Sequence, residues 1–262
     1  MLNLTGLFGK EQIFIPTGWP SLDANLNGGL LAKTVTAVFS EPGTGASALA
    51  MNFCLNAAAM GHRCLLLTHD GEVLGMAKML AALAEDVDVS IGEALHQIET
   101  GVVSEKMRTA AESLVELDVV IKEAPSGILV RKVIEEFADA DNSKCGKPLV
   151  IVYDGMDDCD CNPFSVYTCL KDCANSYNAV VVATAHKCWN GELESPSSYH
   201  RGGVMMAMDA CDAVLAFTED ISEPGLLGLS IHKCRYAHPC DVVTMILLHK
   251  SARVYEIDIA EE

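Results

Sequence analysis

The chain has 262 residues, half of them hydrophobic, with 18 lysines and arginines against 36 aspartates and glutamates and a formal charge of −18. At roughly 150 residues per domain this is one large domain or two small ones. The charge has the wrong sign for a protein that coats bulk nucleic-acid phosphate, the start lacks the basic and apolar regions of a secretory leader, and no apolar run approaches the roughly 18 residues of a membrane span. The sequence therefore reads as a soluble, cytoplasmic protein with no membrane partner.

Strand and helix alternate in chain order. Residues 34–39 (TVTAVF) form a short β-branched run, and after a Pro-Gly turn an alanine-rich helical stretch covers 46–60. A buried strand is expected at 63–67, helices at 74–84 and 104–116, an apolar strand at 119–121 and a helix at 128–138. Residues 149–153 (LVIVY) and 179–183 (AVVVA) are continuous apolar strands separated by a helix over 166–177. Strands that are apolar throughout belong to a sheet covered on both faces, as in parallel α/β architecture. From Asp212 the pattern changes to strands without helices between them, at 213–217, 226–232, 242–248 and 253–257, expected as antiparallel additions to one edge. No linker composition interrupts the chain, so an arm over 1–15 and one domain over 16–262 are expected. The longest polar loop candidate is 187–201.

Eleven cysteines is an odd count, and without a leader it points to reduced thiols. Cys159, Cys161, Cys169 and Cys173 can be drawn as a four-thiolate zinc site. They lack the two-residue gap common in such sites, however, and Cys169 and Cys173 fall on a predicted helix face. Free thiols are the better reading, and zinc is not expected.

The first long strand runs into Ser40-Glu41-Pro42-Gly43-Thr44-Gly45-Ala46-Ser47, and a helix follows. A phosphate-binding loop of the form G-x-x-x-x-G-K-[ST] occupies that setting, with backbone N–H groups and the helix dipole facing the phosphates. Gly45 and Ser47 fit, and Ser40 is a small change. Ala46 stands where the lysine belongs, which keeps the loop shape and removes the cation. These residues alone fit a nucleotide loop and a plain strand–turn–helix equally well.

The flanking residues carry a resemblance. Thr17-Gly18, Leu22-Asp23 and Gly28-Gly29-Leu30 resemble the T-G-x-x-x-L-D…G-G-L opening of RecA-like ATPases of the replicative-helicase, RadA and KaiC kind. The order of motifs over about 16–257 most resembles the motor domain of DnaB-type helicases, phage replicative ones in particular. The resemblance implies an α/β RecA-like core with a mostly parallel sheet and antiparallel C-terminal strands. It implies ATP and Mg²⁺ as ligands, with Ser47 and Asp154, at the end of a Walker B-like strand, on the metal. It places Asp70 where a catalytic glutamate orients the attacking water, and His186 where a glutamine senses the γ-phosphate. Lys233 and Arg235 match a K-x-R pair that reaches a neighbouring subunit's nucleotide, implying self-assembly or assembly with a related helicase subunit, in a host cytoplasm if the protein is phage-encoded.

Three departures fall on the chemistry itself. Ala46 lacks the phosphate cation, Asp70 is one methylene shorter than glutamate, and His186 replaces glutamine; together they read as erosion on a retained fold. Lys233 and Arg235 also fit a solvated strand face equally well. The family's first DNA loop corresponds to 155–160, which holds three carboxylates and no cation and should repel phosphate. The second offers Lys187, His200 and Arg201 with Trp189 and Tyr199, thin support for single-stranded DNA. Three functions stay open: an active helicase-type ATPase that draws a compensating cation from elsewhere, a catalytically weak paralogue that assembles with or regulates a ring, and a structural protein that keeps only the fold.

Overall fold

The computed structural model describes residues 12–84, 89–140, 146–186, 206–219, 225–238 and 243–257. The chain enters through a two-residue strand, β1 (Phe14–Ile15), then α1 (Pro20–Asn25), and β2 (Leu30–Leu31) pairs antiparallel with β1. The T-G-x-x-x-L-D segment is a structural clasp here. Asp23 accepts from the backbone N and hydroxyl of Thr17 at 2.6 and 2.7 Å, Leu22 is buried, and the Trp19 indole donates to Val254 O. A Cβ on Gly18 would come within 2.2 Å of Asn56 Nδ2, so a side chain there would displace the Asn56 amide that donates to Thr17 O.

The central elements follow as β3 (Thr34–Ser40), α2 (Ala46–Ala59), β4 (Cys64–Thr68), α3 (Glu72–Leu83), α4 (Ile91–Thr100), α5 (Glu105–Glu116), β5 (Val119–Glu123), α6 (Val130–Asp139), β6 (Leu149–Asp154), α7 (Pro163–Ser176) and β7 (Ala179–His186). The chain closes with β8 (Ala213–Glu219), β9 (Leu226–Cys234), β10 (Val243–Leu248) and β11 (Arg253–Glu256). Nine strands form one sheet in the order β11-β10-β9-β8-β3-β7-β6-β4-β5.

The apolar runs of β3, β4, β6 and β7 lie at the centre because both faces of the sheet are covered. Val38, Leu66, Val152 and Val182 face α2 and α3, while Phe39, Leu65, Ile151 and Val181 face α6 and α7. Burial of that kind stabilises by about 1.5–3 kcal/mol per large side chain. The last strands alternate buried and half-exposed residues along β9 and β10, the pattern of antiparallel strands with one solvated face. The change of pattern at Asp212 is therefore real, with one correction: β8 pairs parallel with β3 inside the sheet, and only β9, β10 and β11 are added antiparallel.

Two helices go beyond the sequence expectation. α1 is short and begins on Pro20, and α4 packs with α3 and α5 in a satellite core around Ala77, Ala94 and Ala110. The sequence does carry a signal for α4: Ser90 and Glu93 stand in capping-box spacing, and Ser90 Oγ accepts from Glu93 N.

Candidate functional site

A cavity of about 290 Å³ opens at the carboxyl ends of β3, β4, β6 and β7, where ligands of open α/β sheets sit. Its wall contains Ser40, Gly43, Gly45, Ala46 and Ser47 from the turn into α2, Asp70 beyond β4, Asp154 from β6 and His186 from β7. Four segments far apart in sequence thus bring most of the expected site residues together.

The turn is held by its own backbone. Gly43 and Gly45 adopt φ values of 83° and 103°, a region open to glycine at little cost. Thr44 N, Thr44 Oγ1 and Ser40 Oγ all donate to Glu41 O, at 3.1, 2.7 and 3.0 Å. Thr44 is consequently buried with its hydroxyl turned inward, while Glu41 and Pro42 are exposed, and none of these three lines the cavity. Gly45 is the N-cap of α2 and brings no side chain to the first-turn N–H groups. Ala46, Ser47 and Ala48, whose first-turn N–H groups lack intrahelical acceptors, line the cavity at the positive end of the helix dipole.

Asp154 is almost fully buried and fixed through both carboxylate oxygens. Thr184 donates to Oδ1 at 2.6 Å and Thr68 to Oδ2 at 3.3 Å, from the strands on either side of β6. Each hydroxyl accepts in turn from a backbone N–H, Gly155 N to Thr184 and Asp70 N to Thr68. The two threonines thereby tie Asp154 to the loops that carry Gly155 and Asp70. Neither stands out in the sequence, although the register sets Thr68 directly beside Asp154.

Asp70 is engaged by Lys78, in the middle of α3, whose ammonium pairs with Oδ2. Lys78 lines the same cavity and is the one lysine or arginine among its described lining residues. His69, Asp158 and His249 complete the polar wall and likewise lie outside the sequence expectation. His69 Nε2 lies 3.1 Å from the Tyr153 hydroxyl, and Asp157 holds His186 through both its backbone N–H and, at 3.2 Å, its Nδ1. Burial pushes the Tyr153 hydroxyl well above its ordinary pKa, with the nearby Cys159 adding to the shift.

Lys233 and Arg235 stand apart from the cavity. Lys233 donates to Met208 O and, at 2.6 Å, Cys211 O, and burial, then Arg235, lowers its pKa. Arg235 reaches Asp212 Oδ1 at 3.4 Å and Asp209 O at 3.2 Å. Asp212 itself is buried and also accepts from Lys171 and Val35 N.

Of the acidic loop, Asp157 is committed to His186, Asp158 to the cavity wall and Asp160 to Gly127 N. Lys187, Trp189, Tyr199, His200 and Arg201 lie outside the described residues. The four drawn cysteines separate into two groups. Cys159 and Cys161 lie with Asp160, all three ligand atoms within 4.8 Å, while Cys169 and Cys173 share α7 beside Arg131.

A family model described as "ATPase: KaiC" matches residues 15–135, the stretch from the clasp through the turn and β4 to α6. Among solved structures, one described as an ATPase domain superposes with a TM-score of 0.76 at 14% identity, covering 97% of this chain and 95% of that one. A DnaB-like replicative helicase, from a structure that also concerns its interactions with primase, gives 0.77 at 14% identity over 98% of this chain and 68% of that one. The chain has a RecA-like fold. The RadB recombinase shares it more distantly, with a TM-score of 0.59 at 16% identity over 94% of this chain and 100% of that one. No curated protein matches in sequence. Among the described residues of this RecA-like chain, no helix is long and apolar enough to cross a membrane.

Proposed function

We propose that this chain is a nucleotide-binding RecA-like protein of the replicative-helicase type that hydrolyses ATP slowly or not at all and acts by assembling with itself or with a related motor subunit. The observation that carries this reading is the convergence of the glycine turn, Asp154, Asp70 and His186 on one cavity, with an alanine at position 46.

Each residue has a distinct task in that reading. The N–H groups of Ala46, Ser47 and Ala48 receive phosphate oxygens, and Gly43 leaves open space for their approach. A hydroxyl and a fixed carboxylate suit Mg²⁺, a hard cation that takes oxygen ligands. Ser47 and Asp154 would hold it, and it would neutralise phosphate charge. Asp70 and His186 border the same space but are already paired, to Lys78 and Asp157. Asp70 is one methylene shorter than the glutamate of an intact site, so its carboxylate reaches less far toward an attacking water, which supports weak turnover. The acidic 155–160 loop speaks against a DNA track along that edge.

Titration with ATP in the presence and absence of Mg²⁺, together with steady-state hydrolysis, tests the reading. Mg²⁺-dependent binding with little turnover is expected. No binding at millimolar nucleotide would leave only the third reading, a structural use of the fold.

A further inference from the structure

We propose that Lys78 supplies, from α3, the phosphate-binding ammonium that position 46 lacks, and that Asp70 holds it until a nucleoside triphosphate draws it away. The inference rests on the nucleotide-binding reading of the cavity and adds to it the group that meets the β- and γ-phosphates.

Lys78 and Ala46 line the same cavity from opposite sources, one from the third helix and one from the first turn of the second. Apart from its histidines, the described charged groups of the wall are the carboxylates of Asp70, Asp154 and Asp158 and the ammonium of Lys78. Such a wall repels a polyanion unless cations intervene. Mg²⁺ at Ser47 and Asp154 would answer part of that charge, and Lys78 is the side chain placed to answer more.

Its partner makes the exchange feasible. The Lys78 side chain is 23% exposed and that of Asp70 38% exposed. A partly solvated pair of this kind is worth little on its own, so a lysine can leave it at small cost. Phosphate oxygens carry more charge than one carboxylate and lie beside the positive end of α2, so the ammonium gains by moving. The same movement frees Asp70, which links occupancy of the phosphate loop to release of the residue at the water-orienting position. Lysine, a point charge on a flexible stem, suits such a transfer better than arginine would.

The test measures binding of the triphosphate analogue AMP-PNP with Mg²⁺, and of AMP, by calorimetry on the full chain. K78M is expected to weaken AMP-PNP about tenfold or more, the scale of one lost charged hydrogen bond, and to leave AMP unchanged. A46K on the K78M background is expected to restore most of the AMP-PNP affinity. D70N, which leaves Lys78 in place and removes its resting partner, is expected to strengthen AMP-PNP binding severalfold. Equal affinity of wild type and K78M for AMP-PNP overturns the role of Lys78 while leaving the cavity a nucleotide site. Parallel loss of AMP and AMP-PNP marks a structural effect and overturns it as well. Unchanged or weaker binding by D70N overturns the exchange. A wild-type protein that binds neither ligand removes the underlying reading, and this assignment with it.

Discussion

Thr184 Oγ1 donates a 2.6 Å hydrogen bond to Asp154 Oδ1 while accepting one from Gly155 N. One hydroxyl therefore orients the buried carboxylate of β6 and fixes the turn that follows it. Thr184→Val keeps the side-chain shape and leaves the buried Asp154 carboxylate and the partly buried Gly155 N–H without this partner. A loss of about 1–3 kcal/mol is expected in urea unfolding. Mg²⁺ affinity in the presence of nucleotide should fall with it, because Asp154 is then held only by the longer bond from Thr68. Thr184→Ser, which keeps the hydroxyl, should recover most of both.

The phosphate turn makes a second expectation. An ammonium that reaches the phosphates on the flexible stem of Lys78 is less firmly oriented than a lysine at position 46 would be, so wild-type hydrolysis should lie about 10²–10³ below that of an intact site, the usual cost of one oriented electrostatic contact. Ala46→Lys should raise ATP affinity, since the turn of Gly43 and Gly45 and the first-turn N–H groups of α2 are already formed. Turnover should recover less, and further when Asp70→Glu is added, because groups that act as a unit do not contribute independently. A coupled ATPase assay on the single and double variants checks this. An ordinary helicase rate in wild type, unchanged by Ala46→Lys, would contradict it.

Cys169 makes the third. The thiol of Cys173 and then the Arg131 guanidinium stabilise its thiolate against the cost of burial, lowering its pKa to about 6, whereas that of Cys173 is raised. The thiolate is the reactive form. Alkylation by iodoacetamide should therefore rise from about pH 5 to 7 and level off, whereas an ordinary thiol would still be gaining near 9. Mass mapping of the modified peptide should identify Cys169. Arg131→Ala should move the midpoint upward and slow labelling at neutral pH.

Asp212 organises the strand end that carries Lys233 and Arg235. It is buried against Lys171, Arg235 and Val35 N, so Asp212→Ala leaves the buried Val35 N–H without its acceptor and two partly exposed cations without their carboxylate, and should cost about 1–3 kcal/mol in thermal or urea unfolding.

Arg235 is the more exposed of the two strand-end cations and is the one expected to reach a neighbouring subunit. Sedimentation should show self-association at tens of micromolar, weakened by Arg235→Gln, whose monomer stability should change little because Asp212 keeps Lys171 and Val35 N. A strict monomer with and without nucleotide would count against assembly through this face.

Much of the architecture was legible in the sequence because it rests on local signals. Continuous apolar runs can only be buried between helices, and β3, β4, β6 and β7 occupy the places those runs imply. Alternation in β9 and β10 likewise marked the antiparallel edge, though not that β8 joins β3 in parallel, since strand direction depends on the path between strands. The glycine turn, Asp70, Asp154 and His186 were legible through the family resemblance, which places each at or just beyond the end of a strand. Glu41, Pro42 and Thr44 belonged to the same turn, but its hydrogen bonds onto Glu41 O point Thr44 inward. What only tertiary structure decided is who stands beside whom. Thr68, Thr184 and Lys78 are inconspicuous in sequence, a threonine in each of two apolar strands and a lysine in an alanine-rich helix. They become part of the site because the register sets two threonines against Asp154 and because α3 turns its lysine toward Asp70. Periodicity records which face of an element is buried, whereas the pairing of polar groups across elements depends on distances that no single segment contains.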